Sequence, residues 1–162
     1  MRKAISVYDY VNHPYQAVRD KLTAEAAEVF RDATKVAAMR AKSVASELHV
    51  NVAGIEVGAD IEITVKSIEE QTKVLSAPVT VIQLEWSAVR MPGLFPLMKA
   101  ELSVYPLTST ETQLSLAGHY EPPLGAFGKL IDTIVMHRIA EASVHQFITD
   151  VAVYLRKDLA AS

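Results

Sequence analysis

The chain has 162 residues, of which 50% are hydrophobic and 22% are charged, and its formal net charge at pH 7 is -3. A chain of this size can bury most of its apolar surface without metal or disulfide support, so we expect a single domain over residues 1–162. It contains no cysteine, which excludes disulfides, thiolate nucleophiles and iron–sulfur clusters. The small net charge and the lack of a basic stripe argue against nucleic acid as a partner.

The first residues of the chain do not form a signal-peptide pattern. Arg2 and Lys3 are basic, but the following residues alternate, and Asp9 is reached before an apolar core can form. No apolar run has the length of about 18 residues that a transmembrane helix needs. We therefore expect a cytoplasmic protein without a transmembrane segment.

The first predicted element is a strand from Lys3 to Val11, in which apolar and polar side chains alternate. Asp9 falls on the apolar face of this strand, where an unpaired carboxylate would be costly. Three alternatives remain open for Asp9. The strand is irregular and brings it to water, or it pairs with a buried arginine or histidine, or it is the polar anchor of a cavity.

Two helices are predicted after the first strand. Pro14 ends the strand because proline lacks a backbone donor and fixes φ, and a short helix begins there. Thr23 is a candidate N-cap for the second helix, because its hydroxyl can accept a hydrogen bond from a free backbone N–H. From residue 26 to residue 48 the apolar residues, many of them alanine, recur at helical spacing.

The rest of the chain predicts an antiparallel sheet followed by one long helix. Apolar and polar residues alternate in four more segments, residues 61–66, 78–88, 98–104 and 114–120, with no helix between them. A closing helix of about 30 residues would be about 45 Å long, which is too long for a small flat sheet to cover. We therefore predict an α+β fold in which a curved antiparallel sheet wraps around a long C-terminal helix.

Three short segments carry a resemblance to a known family. They are Val11-Asn12-His13-Pro14 followed by Val18, Leu94-Phe95-Pro96-Leu97-Met98, and Tyr120-Glu121-Pro122-Pro123-Leu124-Gly125. With its order of elements, the chain resembles the SRPBCC or START-like superfamily, whose fold is called helix-grip, and within it uncharacterised members labelled polyketide cyclase/dehydrase. The resemblance implies an apolar cavity between sheet and helix, which members use to bind lipids, sterols, polyketides or quinones and, in some branches, to catalyse cyclisation. It implies no universal catalytic residue.

The candidate ligand-binding residues lie on the faces that the sheet and the closing helix would turn toward this cavity. They are Asp9, Leu84, Trp86, Leu102, Leu116, Tyr120, His137 and Glu141. The leucines would supply affinity through apolar burial, and the polar groups would fix the orientation of the ligand. For Trp86 and Tyr120 the alternative is a plain core position, in which the polar atom bonds to the backbone.

His137, Glu141 and His145 are spaced four residues apart along one side of the closing helix. Imidazole and carboxylate groups at this spacing could hold a metal ion. The same spacing is common among ordinary surface ion pairs, and no cysteine or obvious further ligand accompanies the three residues. We therefore predict no metal site and no cofactor.

An apolar segment over residues 91–98 is predicted to lie at the mouth of the cavity, through Met91, Leu94, Phe95 and Met98. If exposed, it would be a portal, a partner surface or a site of transient membrane contact. If folded inward, it would be a lid or a plug. The first half of the closing helix is apolar around most of its circumference and needs a cover, which the alanine-rich helix, a ligand or a second subunit of a homodimer could supply.

These observations predict the binding of a hydrophobic small molecule, a lipid, polyketide or similar compound, between the sheet and the C-terminal helix. One alternative is an enzyme of the polyketide cyclase or dehydratase type, in which Asp9 or His137 moves a proton. A second alternative is a non-catalytic interaction protein that works through its apolar loop and helix face. The sequence does not contain a nucleophile motif that would identify catalytic residues.

Overall fold

The computed structural model describes residues 3–47, 61–72, 77–88, 98–120 and 133–161. Its elements in chain order are β1 (Lys3–Val11), α1 (Tyr15–Glu47), β2 (Ile61–Thr72), β3 (Pro78–Ala88), β4 (Met98–Pro106), β5 (Thr112–Tyr120) and α2 (Thr133–Ala160). The predicted order of strands and helices is confirmed. In the described part of the chain, no helix is both long enough and apolar enough to cross a membrane.

The five strands form one curved antiparallel sheet in the order β1-β5-β4-β3-β2, so β1 and β2 are its edges. The alternation of side chains sets the two faces of the sheet. In β1, Ile5 and Val11 are buried, whereas Tyr8 on the opposite face is 73% exposed. The buried face is the one that the sequence pattern predicted, and it packs against both helices.

Gly118 of β5 lies too close to β4 for a larger residue. A Cβ atom at this position would lie 2.8 Å from the Cβ of Ala100 and 2.8 Å from the carbonyl oxygen of Lys99. Ala100 is also the residue that stands opposite Gly118 in the pairing of the two strands. The missing side chain therefore permits the close approach of the two strands.

The first helix is bent, which corresponds to the two helices predicted after β1. Glu25 has non-helical backbone angles, φ -121° and ψ 24°, within α1. The prediction that Thr23 caps the second half was wrong, because its hydroxyl donates to the carbonyl oxygen of Arg19 at 2.8 Å. A hydroxyl bonded to the preceding turn belongs to the helix interior, and the bend follows two residues later.

The two helices lie side by side and antiparallel on the inner face of the sheet. α2 packs mainly on β1, and α1 packs mainly on β2. The hydroxyl of Tyr154 donates to Glu25 at 2.9 Å, and Lys21 pairs with Asp158, so the beginning of α1 meets the end of α2. Near the beginning of α2, Ile134 is 71% exposed, so what covers the first half of the closing helix stays a prediction.

Candidate functional site

An aromatic cluster fills the space between the sheet and the two helices. The rings of Trp86 and Phe147 meet edge to face with centroids 5.0 Å apart, and Phe147 stacks with Phe30 at 6.0 Å. The indole nitrogen of Trp86 donates to the hydroxyl of Thr34 at 3.1 Å, and both residues are buried. The cluster joins β3, α1 and α2, and Thr34 satisfies the one polar atom of the indole ring.

Leu84, Leu102 and Leu116 belong to the same continuous apolar core and are almost completely buried. They were predicted to line a cavity under the closing helix. The two cavities at the sheet edges, described below and in a later subsection, are not lined by these leucines. Their role as ligand contacts therefore stays a prediction.

Tyr120, His137 and Glu141 form a hydrogen-bonded chain from the interior to the surface. The hydroxyl of Tyr120, a residue that is 1% exposed, lies 2.8 Å from Nδ1 of His137, and the two rings stack at 5.9 Å. Nε2 of His137 lies 3.3 Å from the carboxylate of Glu141, whose side chain is largely exposed. The chain places two titratable groups in contact at one end of the apolar interior.

Burial raises the pKa of Tyr120 to about 12, and the negative charge of Glu141 acts in the same direction. The phenol is therefore neutral at physiological pH. It can donate a hydrogen bond to an oxygen of a bound molecule or exchange a proton with His137, depending on which imidazole nitrogen carries the proton.

The register of the sheet shows which candidate residues lie near one another. Trp86 stands opposite Met98, and Lys99 stands opposite His119, so Trp86 and Tyr120 lie at the same end of the sheet. Asp9 stands opposite Leu114, near the other end of β5. The structure therefore brings Trp86, Tyr120, His137 and Glu141 to one end, and places Asp9 away from them.

Asp9 pairs with an arginine, as one of the three alternatives proposed, but the side chain of Arg156 is partly exposed and not buried. Its carboxylate accepts a hydrogen bond from Arg156 at 3.1 Å and another from the backbone N–H of Tyr10 at 2.7 Å. Arg156 also bonds to the carbonyl oxygen of Tyr10 and lies 5.5 Å from the centre of its ring. These contacts hold the end of α2 on the edge strand β1.

Two further sets of candidate residues are those of the cavity mouth and the possible metal ligands His137, Glu141 and His145. Met91, Leu94 and Phe95 lie outside the described residues, as does the side chain of Met98. Among the described residues, no group of three or more histidine, aspartate or glutamate side chains is placed to hold a metal ion.

A cleft between α1 and the edge strand β2 was missed by the sequence analysis. It has a volume of about 470 Å³ and is lined by Ala27, Phe30, Arg31, Thr34 and Lys35 of α1 and by Glu62, Ile63, Thr64 and Val65 of β2. Phe30 and Thr34 are buried at its floor, and Ile63 stands opposite Trp86 in the sheet. The sequence feature that could have predicted the cleft is the alanine content of α1, because small side chains beside a sheet edge leave space.

The fold is similar to that of known proteins, although no family model and no curated protein sequence matches the chain. The Zhui aromatase/cyclase from Streptomyces sp. R1128 has a TM-score of 0.52 and 12% identity, over 98% of this chain and 96% of that chain. A START superfamily protein from Mycobacterium smegmatis has a TM-score of 0.48 and 9% identity, over 95% of this chain and 97% of that one. Norcoclaurine synthase from Thalictrum flavum has a TM-score of 0.45 and 11% identity, over 96% of this chain and 87% of that one.

At these identities the similarity concerns the fold alone. The chain has the helix-grip fold that the sequence resemblance predicted.

Proposed function

We propose that this protein binds a hydrophobic small molecule in the cleft between α1 and β2. The observation that carries the proposal is the lining of the cleft, in which Ile63 and Val65 present apolar surface beside a sheet edge, above the buried ring of Phe30. Burial of apolar ligand surface there would supply about 25 cal/mol of affinity per Å². The helix-grip fold, which encloses ligands in other proteins, agrees with this function but does not identify the ligand.

The polar groups of the cleft would set the orientation of the bound molecule. The hydroxyl of Thr34 lies at the floor, and Arg31, Lys35 and Glu62 are part of the lining. A mostly apolar pocket with a few polar groups is the usual form of a small-molecule site. A molecule with an apolar body and one polar end fits this distribution.

Trp86 allows a direct test, because it is the only tryptophan of the chain and its indole bonds to Thr34 of the cleft floor. We expect a dansyl-labelled undecanoic acid to quench Trp86 emission and to gain dansyl emission by energy transfer. The substitution Ala27→Phe would fill the cleft from its exposed side and should weaken binding of this probe by about tenfold or more, equivalent to about 1.4 kcal/mol.

Ala24→Phe is the matched control, because Ala24 is also an exposed alanine of α1 but does not line the cleft. It should leave the affinity unchanged. Equal affinities of the two variants would contradict binding in the cleft. Absence of energy transfer in the wild-type protein would contradict binding of this class of amphiphile.

A second function, acid–base catalysis of ring closure, is supported by the contact between Tyr120 and His137. In aldol-type cyclisation one group removes a proton from the carbon between two carbonyls, and another donates a proton to the carbonyl oxygen that is attacked. His137 and Tyr120 could fill these two roles, because their polar atoms lie 2.8 Å apart. The reaction would occur at the sheet end that carries Trp86.

The test of this second function uses a linear poly-β-keto thioester as the substrate. Tyr120→Phe should lower the rate of ring closure by on the order of a hundredfold, the lower range for general acid–base catalysis. His145→Gln is the control, because His145 lies on the same helix outside the hydrogen-bonded chain. No acceleration by the wild-type protein over the buffer reaction would exclude the enzyme while leaving the binding function intact.

A further inference from the structure

The free edge of β1 borders a second cavity, which is a groove of about 620 Å³. Its lining consists of Ala4, Ile5, Ser6 and Val7 of β1, of Arg138, Glu141, Ala142, His145 and Gln146 of α2, and of Arg40 of α1. Successive strand side chains point to opposite faces. Four consecutive residues can therefore line one groove only along the backbone edge of the strand.

The hydrogen bonds of Tyr10 show which backbone groups of β1 face away from β5. Its N–H donates to Asp9, and its carbonyl oxygen accepts from Arg156, so both groups lie on the free side. In an antiparallel pair the residues alternate between bonding to the neighbouring strand and pointing away from it. The pairing of β1 with β5 has no register shift, so Ala4 and Ser6 also present their backbone groups to the free side.

The free edge is closed at one end and open at the other. At the closed end, the N–H of Tyr10 donates to Asp9 and its carbonyl oxygen accepts from Arg156, so neither group is open to another strand. Ala4 and Ser6 lie in the groove, and no hydrogen bond of their backbone groups to a residue outside the sheet is found in the described part of the chain. An unpaired strand edge of this kind is a template for another strand.

The charge of the groove indicates the chemistry of its partner. Two arginines, Arg40 and Arg138, and one glutamate, Glu141, are part of the lining. The carboxylate of Glu141 lies 3.3 Å from Nε2 of His137, whereas Arg138 is exposed and has no ion-pair partner among the described residues. The unpaired guanidinium of Arg138 is therefore the group of the groove that an acidic side chain of a partner would complement.

We propose that this groove binds an extended, acidic peptide segment of a partner protein, which adds to the sheet as a strand beside β1. The backbone groups of Ala4 and Ser6 would supply two donors and two acceptors to the added strand. Arg138 would bind an acidic side chain of the peptide. The site is independent of the cleft between α1 and β2, which lies at the opposite edge of the sheet.

A second copy of this chain fits the groove less well than a peptide does. β1 of a second copy has the same face covered by its own α2. If two β1 strands paired about a twofold axis, both α2 helices would lie on one face of the joined sheet, and each would bring a positively charged Arg138 toward the other. An isolated peptide strand has no such helix.

The experiment uses a fluorescein-labelled octapeptide of alternating valine and threonine with one central glutamate, measured by fluorescence anisotropy with the full chain. We expect saturable binding. Ser6→Pro removes an outward donor at an edge position that tolerates proline and should weaken binding by about tenfold, the effect of one to two hydrogen bonds. Ser6→Thr keeps the donor and serves as its control.

Arg138→Gln should weaken binding of the glutamate peptide by about two- to fivefold, as expected for an exposed ion pair. It should not change binding of the same peptide with glutamine in place of glutamate. Equal losses with both peptides would overturn the assignment of Arg138. No binding of the glutamate peptide by the wild-type protein would overturn the proposal as a whole.

Amide hydrogen exchange of the wild-type protein keeps the test valid if Ser6→Pro fails to fold. The amides of Ala4 and Ser6 should exchange fast in the free protein and slow down when the peptide is added, whereas those of Ile5 and Val7 should be slow in both states. Protection of Ala4 and Ser6 in the free protein, together with a dimer in sedimentation equilibrium, would assign the edge to a second copy and overturn the proposal.

Discussion

Gly118 is a position at which the sheet has no room for an added methyl group. A Cβ atom there would meet Ala100 and the backbone oxygen of Lys99 at 2.8 Å. Because a backbone atom cannot rotate away, the strands would have to separate. We expect Gly118→Ala to lower the free energy of unfolding by about 1–3 kcal/mol, the usual range for overpacking.

Urea denaturation monitored by circular dichroism measures this effect. Ala117→Val, at the exposed neighbouring position of β5, provides the control and should change stability by less than about 0.5 kcal/mol. A Gly118→Ala variant as stable as the wild type would show that β4 and β5 can separate at no energetic cost.

The buried phenol of Tyr120 makes stability depend on alkaline pH. Its pKa is about 12 in the folded protein and about 10 in an unfolded chain. The folded state therefore holds the proton more strongly, so the contribution to stability is complete below pH 10 and is lost as pH rises toward 12. We expect the unfolding free energy to fall by about 1–2 kcal/mol between about pH 9 and about pH 11.5 on account of this group.

Tyr120→Phe should remove this part of the pH dependence. The pKa of Tyr154 is also raised to about 12, mainly by its hydrogen bond to Glu25, so Tyr154→Phe separates the second contribution. Urea midpoints of the wild type and both variants across the alkaline range provide the measurement. An unchanged slope in Tyr120→Phe would contradict a neutral, buried phenol.

At the scale of single residues, the sequence could predict which side chains face inward but not which ones meet. Asp9 was recognised as an acid on an apolar strand face, yet its partner Arg156 is 147 positions away in the chain. Tyr120 and His137 were both candidates, and their contact depends on where α2 lies over the sheet. Pairings of this kind follow from tertiary packing, which local patterns do not contain.

The bend of α1 lies beside a contact with α2 and just before the segment that lines the cleft. At the bend, Glu25 accepts a hydrogen bond from Tyr154 and lies 3.6 Å from Lys21. The segment after the bend carries Phe30 and Thr34, which line the cleft. Contacts at Glu25 therefore hold one wall of the cleft against α2.

Tyr154→Phe should lower stability at neutral pH by about 1 kcal/mol, because a hydrogen bond to a partly exposed carboxylate is lost. The dansyl probe should also dissociate faster, since the wall of the cleft is held less firmly. Stopped-flow dissociation and urea unfolding test both effects. Tyr8→Phe, at a position that is 73% exposed, is the control, and faster dissociation in both variants would argue against a role for the bend.

At the scale of elements, periodicity predicted the strands and the closing helix, because alternation and helical spacing are local properties. Periodicity located the bend of α1 only approximately. The hydroxyl of Thr23 can accept a hydrogen bond from a free backbone N–H as an N-cap, or donate to the carbonyl oxygen of the preceding turn, and the local sequence does not distinguish the two. Periodicity also missed the cleft, because the α1–β2 contact joins a helix and an edge strand whose relative position has no local pattern.

The aromatic cluster joins β3, α1 and α2, because Phe147 of α2 contacts both Trp86 and Phe30. We expect Phe147→Ala to lower the unfolding free energy by about 3–5 kcal/mol, as is usual for a buried aromatic residue. Trp86 emission and the circular dichroism signal should change at the same urea concentration if the chain folds as the single domain that its length predicts. Separate transitions would divide the chain into independent units.

For the whole molecule, the sequence predicted the helix-grip fold but not the cavities at the edges of its sheet. The long closing helix suggested a sheet that wraps around it and leaves a cavity. In the structure, α1 is 33 residues long and lies along α2, so both helices contribute side chains to the inner face of the sheet, and the cavity under α2 stays a prediction. Two cavities that the described residues line are found at the two edges of the sheet.

The pairing of β1 with β5 affects how this chain can fold while it is being synthesised. Val11 stands opposite Thr112, so the ribosome must add about 100 residues after β1 before its neighbour exists, which takes on the order of 5–20 seconds at usual elongation rates. Arg156, which closes the edge at Tyr10, emerges later still. During this interval both sides of the nascent strand are open, which makes it a natural binding target for a chaperone.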